Sequence, residues 1–164
     1  MKRRVLKFGG SSVADFTKIK NIAEMLKRRV DDGEQLIVVV SAMGKTTDQL
    51  MENVSHLTTT PKDEELALLL TTGEQQTVSY LSMVLNDIGV SARAMTGYQA
   101  GIKTVGHHLK SRIAEINPET FNKEFKDKDV LVVAGFQGVN DELELTTLGR
   151  GGSDTTAVAL AASN

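Results

Sequence analysis

Apolar positions along the chain alternate between two rhythms. Val5–Phe8 is a short β-forming run that enters Gly9-Gly10-Ser11-Ser12, which reads as a strand feeding a glycine turn. Phe16, Ile19, Ile22, Ala23, Leu26 and Val30 then recur at three- and four-residue steps, one face of an amphipathic helix that ends at Asp31-Asp32-Gly33. Leu36–Val40 is unbroken apolar sequence and suits a strand buried on both faces. A turn at Ser41–Thr46 precedes a helical pattern through Leu50, Val54 and Leu57. Thr60-Pro61 reads as the start of another helix, with Thr60 as its N-cap. Thr71-Thr72-Gly73-Glu74 reads as a break, after which a new helix begins near Glu74. Val90–Met95 is a strand, Thr96–His108 an exposed loop, Pro118–Phe125 a short helix capped by Asn117, and Val130–Ala134 another buried strand. Val139–Leu145 suits a small hairpin over Asn140-Asp141, and Gly149–Asp154 opens a last, alanine-rich helix. Strands alternating with helices argue an α/β fold with a mainly parallel sheet covered by helices.

Composition narrows the class without naming it. Forty per cent of the 164 residues are apolar and 24 % charged, which is ordinary globular usage. The net charge of −2, with signs interspersed, argues against nucleic-acid and membrane-surface partners. The absence of cysteine excludes disulfides and thiolate metal sites. The basic start lacks a signal-peptide core, and the longest apolar runs are far below a membrane span, so a cytoplasmic protein is expected. His56, His107 and His108 form no metal or nucleophile–base pattern and read as loop or surface residues, and the six methionines read as core filler.

The chemistry is concentrated in three turns: Lys7-Phe8-Gly9-Gly10-Ser11-Ser12, Ser41-Ala42-Met43-Gly44-Lys45-Thr46-Thr47, and Gly149-Arg150-Gly151-Gly152-Ser153-Asp154-Thr155-Thr156. Each lies where a strand or loop feeds a helix. In a parallel sheet such loops gather along one edge, where ligands bind. Glycines let backbone N–H groups approach a ligand, and a helix N-terminus adds free donors that suit phosphate. Any one of these turns serves equally as a left-handed cap, Ser153 as a helix cap and Asp154 as a first-turn acid. Together they leave an anion site and a plain structural role both open. Two familiar phosphate motifs fail. Gly44-Lys45-Thr46 lacks the P-loop glycine, because position 39 is valine, and the last glycine of a dinucleotide fingerprint falls on Asp154.

Taken in order, five segments resemble the aspartate kinase branch of the amino acid kinase family. They are Lys7–Val13, Val39–Gly44 with Thr46-Thr47, Thr72–Glu74, Ala134–Gly138, and Thr146–Asp154. The resemblance covers essentially the whole chain and implies a three-layer α-β-α sandwich. It further implies transfer of the γ-phosphate of ATP, accompanied by Mg²⁺ held mainly through the phosphates, to the β-carboxylate of L-aspartate. The product, 4-phospho-L-aspartate, leads towards lysine, threonine and methionine. On this resemblance Lys7, Phe8, Gly9 and Gly10 contact the nucleotide phosphates, and Lys7 and Asp154 are catalytic. Ser41, Thr47, Glu74, Arg150, Gly151, Gly152 and Ser153 hold aspartate, with Glu74 on its α-amino group and Arg150 on a carboxylate. Phe136 shapes the pocket. No residue is assigned to hold a metal by itself.

Relatives of this kind continue into an adenosine-binding segment and then regulatory domains. Residues 1–164 therefore read as a partial kinase domain, holding the aspartate- and phosphate-binding part, inactive alone and homo-oligomeric in the full-length enzyme. Two rival readings are a related kinase with a different acceptor and a non-catalytic anion-binding or assembly module.

Overall fold

The computed structural model describes residues 1–149 and 151–164; Arg150 lies outside the described residues. Four strands form the central sheet, all parallel, in the order β1 (Lys2–Phe8), β2 (Glu34–Val40), β6 (Val130–Ala134), β3 (Ala92–Met95). The alternation of β2 and β6 explains why both read as continuous apolar runs. Leu36, Val38, Val40, Val130, Val132 and Ala134 face a core closed by α1 (Phe16–Asp31) and α3 (Asp63–Asp87). Ile37, Val39, Leu131 and Val133 face the other core, closed by Phe121 of α4 (Pro118–Glu124) and Leu160 of α5 (Gly152–Ser163). Helices on both faces of a parallel sheet make the three layers expected.

Local chemistry sets the helix starts. Asp15 caps α1 by accepting from the Lys18 amide at 2.8 Å, and Asn117 caps α4 through Glu119 at 3.0 Å, with Pro118 in the first turn. The third helix departs from expectation twice. It starts at Asp63, not at Thr60-Pro61, with Asp63, Glu64 and Glu65 placed in its first turn, where acids suit the helix dipole. It also runs unbroken through Thr71–Glu74. The Thr71 and Thr72 hydroxyls donate to carbonyls three residues back, at 2.7 and 2.6 Å, so neither competes with the helix from outside. Gly73 is there for contact: a Cβ on it would sit 2.9 Å from the Ala42 Cβ.

A second sheet, absent from the pattern reading, has the order β5 (Lys110–Ile116), β4 (Ile102–His107), β7 (Gln137–Val139), β8 (Leu145–Thr147). The stretch 96–108 is thus not an exposed loop. Ala100, Ile102 and Thr104 are buried, and β4 pairs antiparallel with β5. The hairpin expected near Asn140 is present as β7 and β8, with Asn140 Oδ1 accepting from the Glu142 and Glu144 amides at 3.0 and 2.9 Å. The methionines are not all core: Met95 is buried, whereas Met1, Met51 and Met83 are exposed. His107 pairs with Asp63 at 2.8 Å and His108 with Glu144 at 3.1 Å, both near the surface. Among the described residues no helix is long and apolar enough to cross a membrane.

Candidate active site

Because β1, β2 and β6 are parallel, the turns that follow them emerge at one edge of the sheet and knit together through their backbones. The Ser41 amide donates to the Phe8 carbonyl at 3.1 Å, Gly44 to Gly10 at 2.9 Å, and Gly135 to Val40 at 3.0 Å. The start of α5 is drawn to the same edge, where the Leu148 amide donates to the Phe136 carbonyl at 2.8 Å. Crowding explains the glycines. A Cβ on Gly10 would lie 3.1 Å from the Ala42 carbonyl oxygen, and one on Gly135 would lie 2.8 Å from Ser153 Oγ.

An open cleft of about 320 Å³ lies between these turns. Lys7, Gly10, Ser41, Thr47, Glu74, Gly151, Gly152, Ser153 and Asp154 line it, so residues up to 147 positions apart in sequence share one wall. Two contacts bind the first and second turns to the last one across it. Lys7 Nζ meets Asp154 Oδ1 at 3.0 Å, with the lysine side chain 31 % exposed and the carboxylate 71 % exposed. Ser41 Oγ and Ser153 Oγ are 2.9 Å apart. Gly9 lies outside the lining but beside it, since a Cβ there would be 3.2 Å from Lys7 Nζ. Phe8 packs its ring against the α1–α3 core and offers the turn its carbonyl alone. Arg150 falls outside the described residues. Ala42, Gly44, Phe136 and Gly149 complete the lining.

Glu74 is the most unusual group in the wall. It is 2 % exposed, and among the described residues its Oε2 is a buried acceptor with no partner. Burial pushes its carboxyl up to about 8, with its own backbone amide pulling the other way. A buried acceptor left open at a cleft surface is a place for a cation or a hydrogen-bond donor from a guest. The hydroxyl residues Ser41, Thr47 and Ser153 and the cationic Lys7 line the same cleft. The arrangement can therefore take a small guest with a cationic end at Glu74 and an anionic end towards Lys7. Among the described residues no group of three or more histidine, aspartate or glutamate side chains could hold a metal ion. Asp154 is the exposed carboxylate at the cleft, and it fits a cation that arrives already ligated by phosphate oxygens better than a bare ion.

Comparison with known proteins identifies the family. The amino acid kinase family model matches residues 2–163, and the chain belongs to that family. Within it, the chain is 49 % identical over 158 residues to an aspartokinase of Bacillus sp. (strain MGA3), covering 96 % of this chain and 38 % of that one. It is 48 % identical to aspartokinase 2 of Bacillus subtilis (strain 168), covering 96 % of this chain and 39 % of that one. The chain thus spans under two fifths of the length of these curated relatives. Among solved structures, the aspartate kinase from Synechocystis superposes with a TM-score of 0.80 at 44 % identity, over 99 % of this chain and 26 % of that one. Aspartokinase III of E. coli, solved with aspartate and ADP, superposes with a TM-score of 0.77 at 20 % identity, over 99 % of this chain and 47 % of that one, a likeness of fold.

Proposed function

We propose that the protein carrying this chain is an aspartate kinase. It moves the γ-phosphate of ATP to the β-carboxylate of L-aspartate, and these residues supply the acceptor and phosphate side of a larger catalytic domain. The observation that carries the reading is the cleft itself: the Lys7–Asp154 pair at 3.0 Å lines the same cleft as the buried Glu74, whose Oε2 has no partner among the described residues.

In this reading Glu74 takes the α-ammonium of aspartate, Ser41, Thr47 and Ser153 hydrogen-bond its carboxylates, and Arg150 pairs with one of them. Gly9 and Gly10 bring backbone amides close to the phosphates, and Gly151 and Gly152 bring theirs to the aspartate. The acceptor carboxylate has a pKa near 3.9 when unperturbed, so it is ionised at neutral pH and needs no general base. One carboxylate oxygen attacks the γ-phosphorus, the bond from that phosphorus to the β,γ-bridging oxygen breaks, and ADP leaves with the electron pair. The barrier is the approach of an anion to a polyanion. Lys7 offsets it by pairing with the phosphoryl oxygens, and Asp154 fixes the ammonium for that task. Mg²⁺ accompanying ATP would neutralise further phosphate charge, with Asp154 as the nearby carboxylate.

The test is an acceptor panel in the full-length protein with ATP as donor. Acceptor-dependent ADP release is expected with L-aspartate, its acyl phosphate trapped as the hydroxamate, and not with N-acetylglutamate, carbamate or uridylate. Preference for any of the last three would replace the proposed acceptor.

A further inference from the structure

The back of the cleft is made where the Gly135-Phe136 turn meets the first turn of α5, and one side chain bonds to both. Thr156 is fully buried and is not part of the cleft lining. Its hydroxyl accepts from the Phe136 amide at 3.2 Å and donates to the Gly152 carbonyl at 2.9 Å. Phe136 lines the cleft with φ at +69°, a left-handed conformation that costs an L-residue free energy and persists only where its surroundings hold it. It is held at both ends, by Thr156 at its amide and by the Leu148 amide at its carbonyl. Packing tightens the same joint: a Cβ on Gly152 would lie 2.5 Å from Phe136 Cδ2.

The residues immediately after Gly152 are Ser153 and Asp154, which make the contacts to Ser41 and Lys7. We propose that Thr156 is a positioning residue: by pinning Phe136 in its left-handed form against the start of α5, its hydroxyl sets where Ser153 and Asp154 stand relative to Ser41 and Lys7. A helical threonine bonding four residues back is common, and Thr155 supplies an internal comparison. Its hydroxyl donates to the Gly151 carbonyl at 3.1 Å and, among the described residues, bonds to nothing beyond this turn. The consequence for catalysis rests on the kinase reading above; the pinning of Phe136 does not.

Thr156→Val keeps the side-chain shape and removes the hydroxyl, Thr156→Ser keeps the hydroxyl, and Thr155→Val removes only the helical bond. In the full-length protein without substrates, Thr156→Val is expected to speed hydrogen exchange of the Phe136 amide about tenfold, the scale of one lost hydrogen bond, and to shift the Ser153 and Asp154 amide resonances. In turnover, its kcat/KM for aspartate is expected to fall about tenfold on the same scale. Thr156→Ser and Thr155→Val should stay close to the parent in all three readouts. Thr156→Ala stands in if Thr156→Val fails to fold. Parent-like exchange at Phe136 in the variants lacking the Thr156 hydroxyl, parent-like turnover despite faster exchange, or a serine variant as impaired as valine would each overturn the proposal. If the parent itself transfers no phosphate to aspartate, the kinase reading falls, and the exchange and resonance shifts still decide the role of Thr156.

Discussion

Glu74 has a testable signature in stability as well as in binding. In the unfolded chain its carboxyl titrates near 4.5; burial moves it to about 8 in the fold. Between those values the folded protein keeps a proton that the unfolded chain has released. Raising the pH from 5 to 8 therefore costs stability, and the loss levels off above the folded value. Glu74→Gln should match the parent in urea midpoint near pH 5 and exceed it at pH 8. Parallel curves for the two proteins would show that the site solvates Glu74 more than its burial indicates. Lys7 has a kinetic signature. Lys7→Ala in the full-length protein is expected to lower kcat by about 100-fold or more, the scale of losing one preorganised electrostatic donor. A rate near the parent's would remove Lys7 from its proposed role. Lys7 was legible because it leads β1 into a glycine-rich turn, whereas Glu74, inside α3, was legible only through the resemblance of Thr72–Glu74 to a family segment. The left-handed backbone of Phe136 and the double role of Thr156 were not legible, since both depend on a contact between segments 20 residues apart.

Among the elements, α3 shows most clearly where local reasoning stops. Two threonines and a glycine in succession lower helix propensity, and the sequence suggested a break there. Tertiary contact overrides it, because Gly73 sits where the Ala42 turn presses on the helix and Glu74 must point into the cleft from a rigid support. Gly73→Val is accordingly expected to destabilise the protein by about 1–3 kcal/mol through overpacking. Since the Ser41–Thr47 loop is what it would displace, it should also weaken aspartate binding, read by urea titration alongside calorimetry. An unchanged midpoint would mean the loop yields at no cost. The second sheet escaped notice for a related reason. Its strands β4 and β5 are short and mixed in polarity, with burial patterns set by cross-strand partners and not by their own composition.

At the scale of the molecule, topology makes the site. Parallel pairing of β1, β2 and β6 brings three turns to one edge, and the return of the chain through β7 and β8 delivers the start of α5 to them. That much followed from buried, continuous strands alternating with helices, and it is why motifs spread over the chain could be read as one site. Isothermal titration of L-aspartate into the protein at pH 7, in two buffers of different ionisation enthalpy, addresses the acceptor assignment most directly. An ammonium group arriving at Glu74 would ionise it, so the account expects saturable single-site binding with net proton release, the release abolished by Glu74→Gln. No saturable binding, or binding and proton release indifferent to Glu74→Gln, would contradict it.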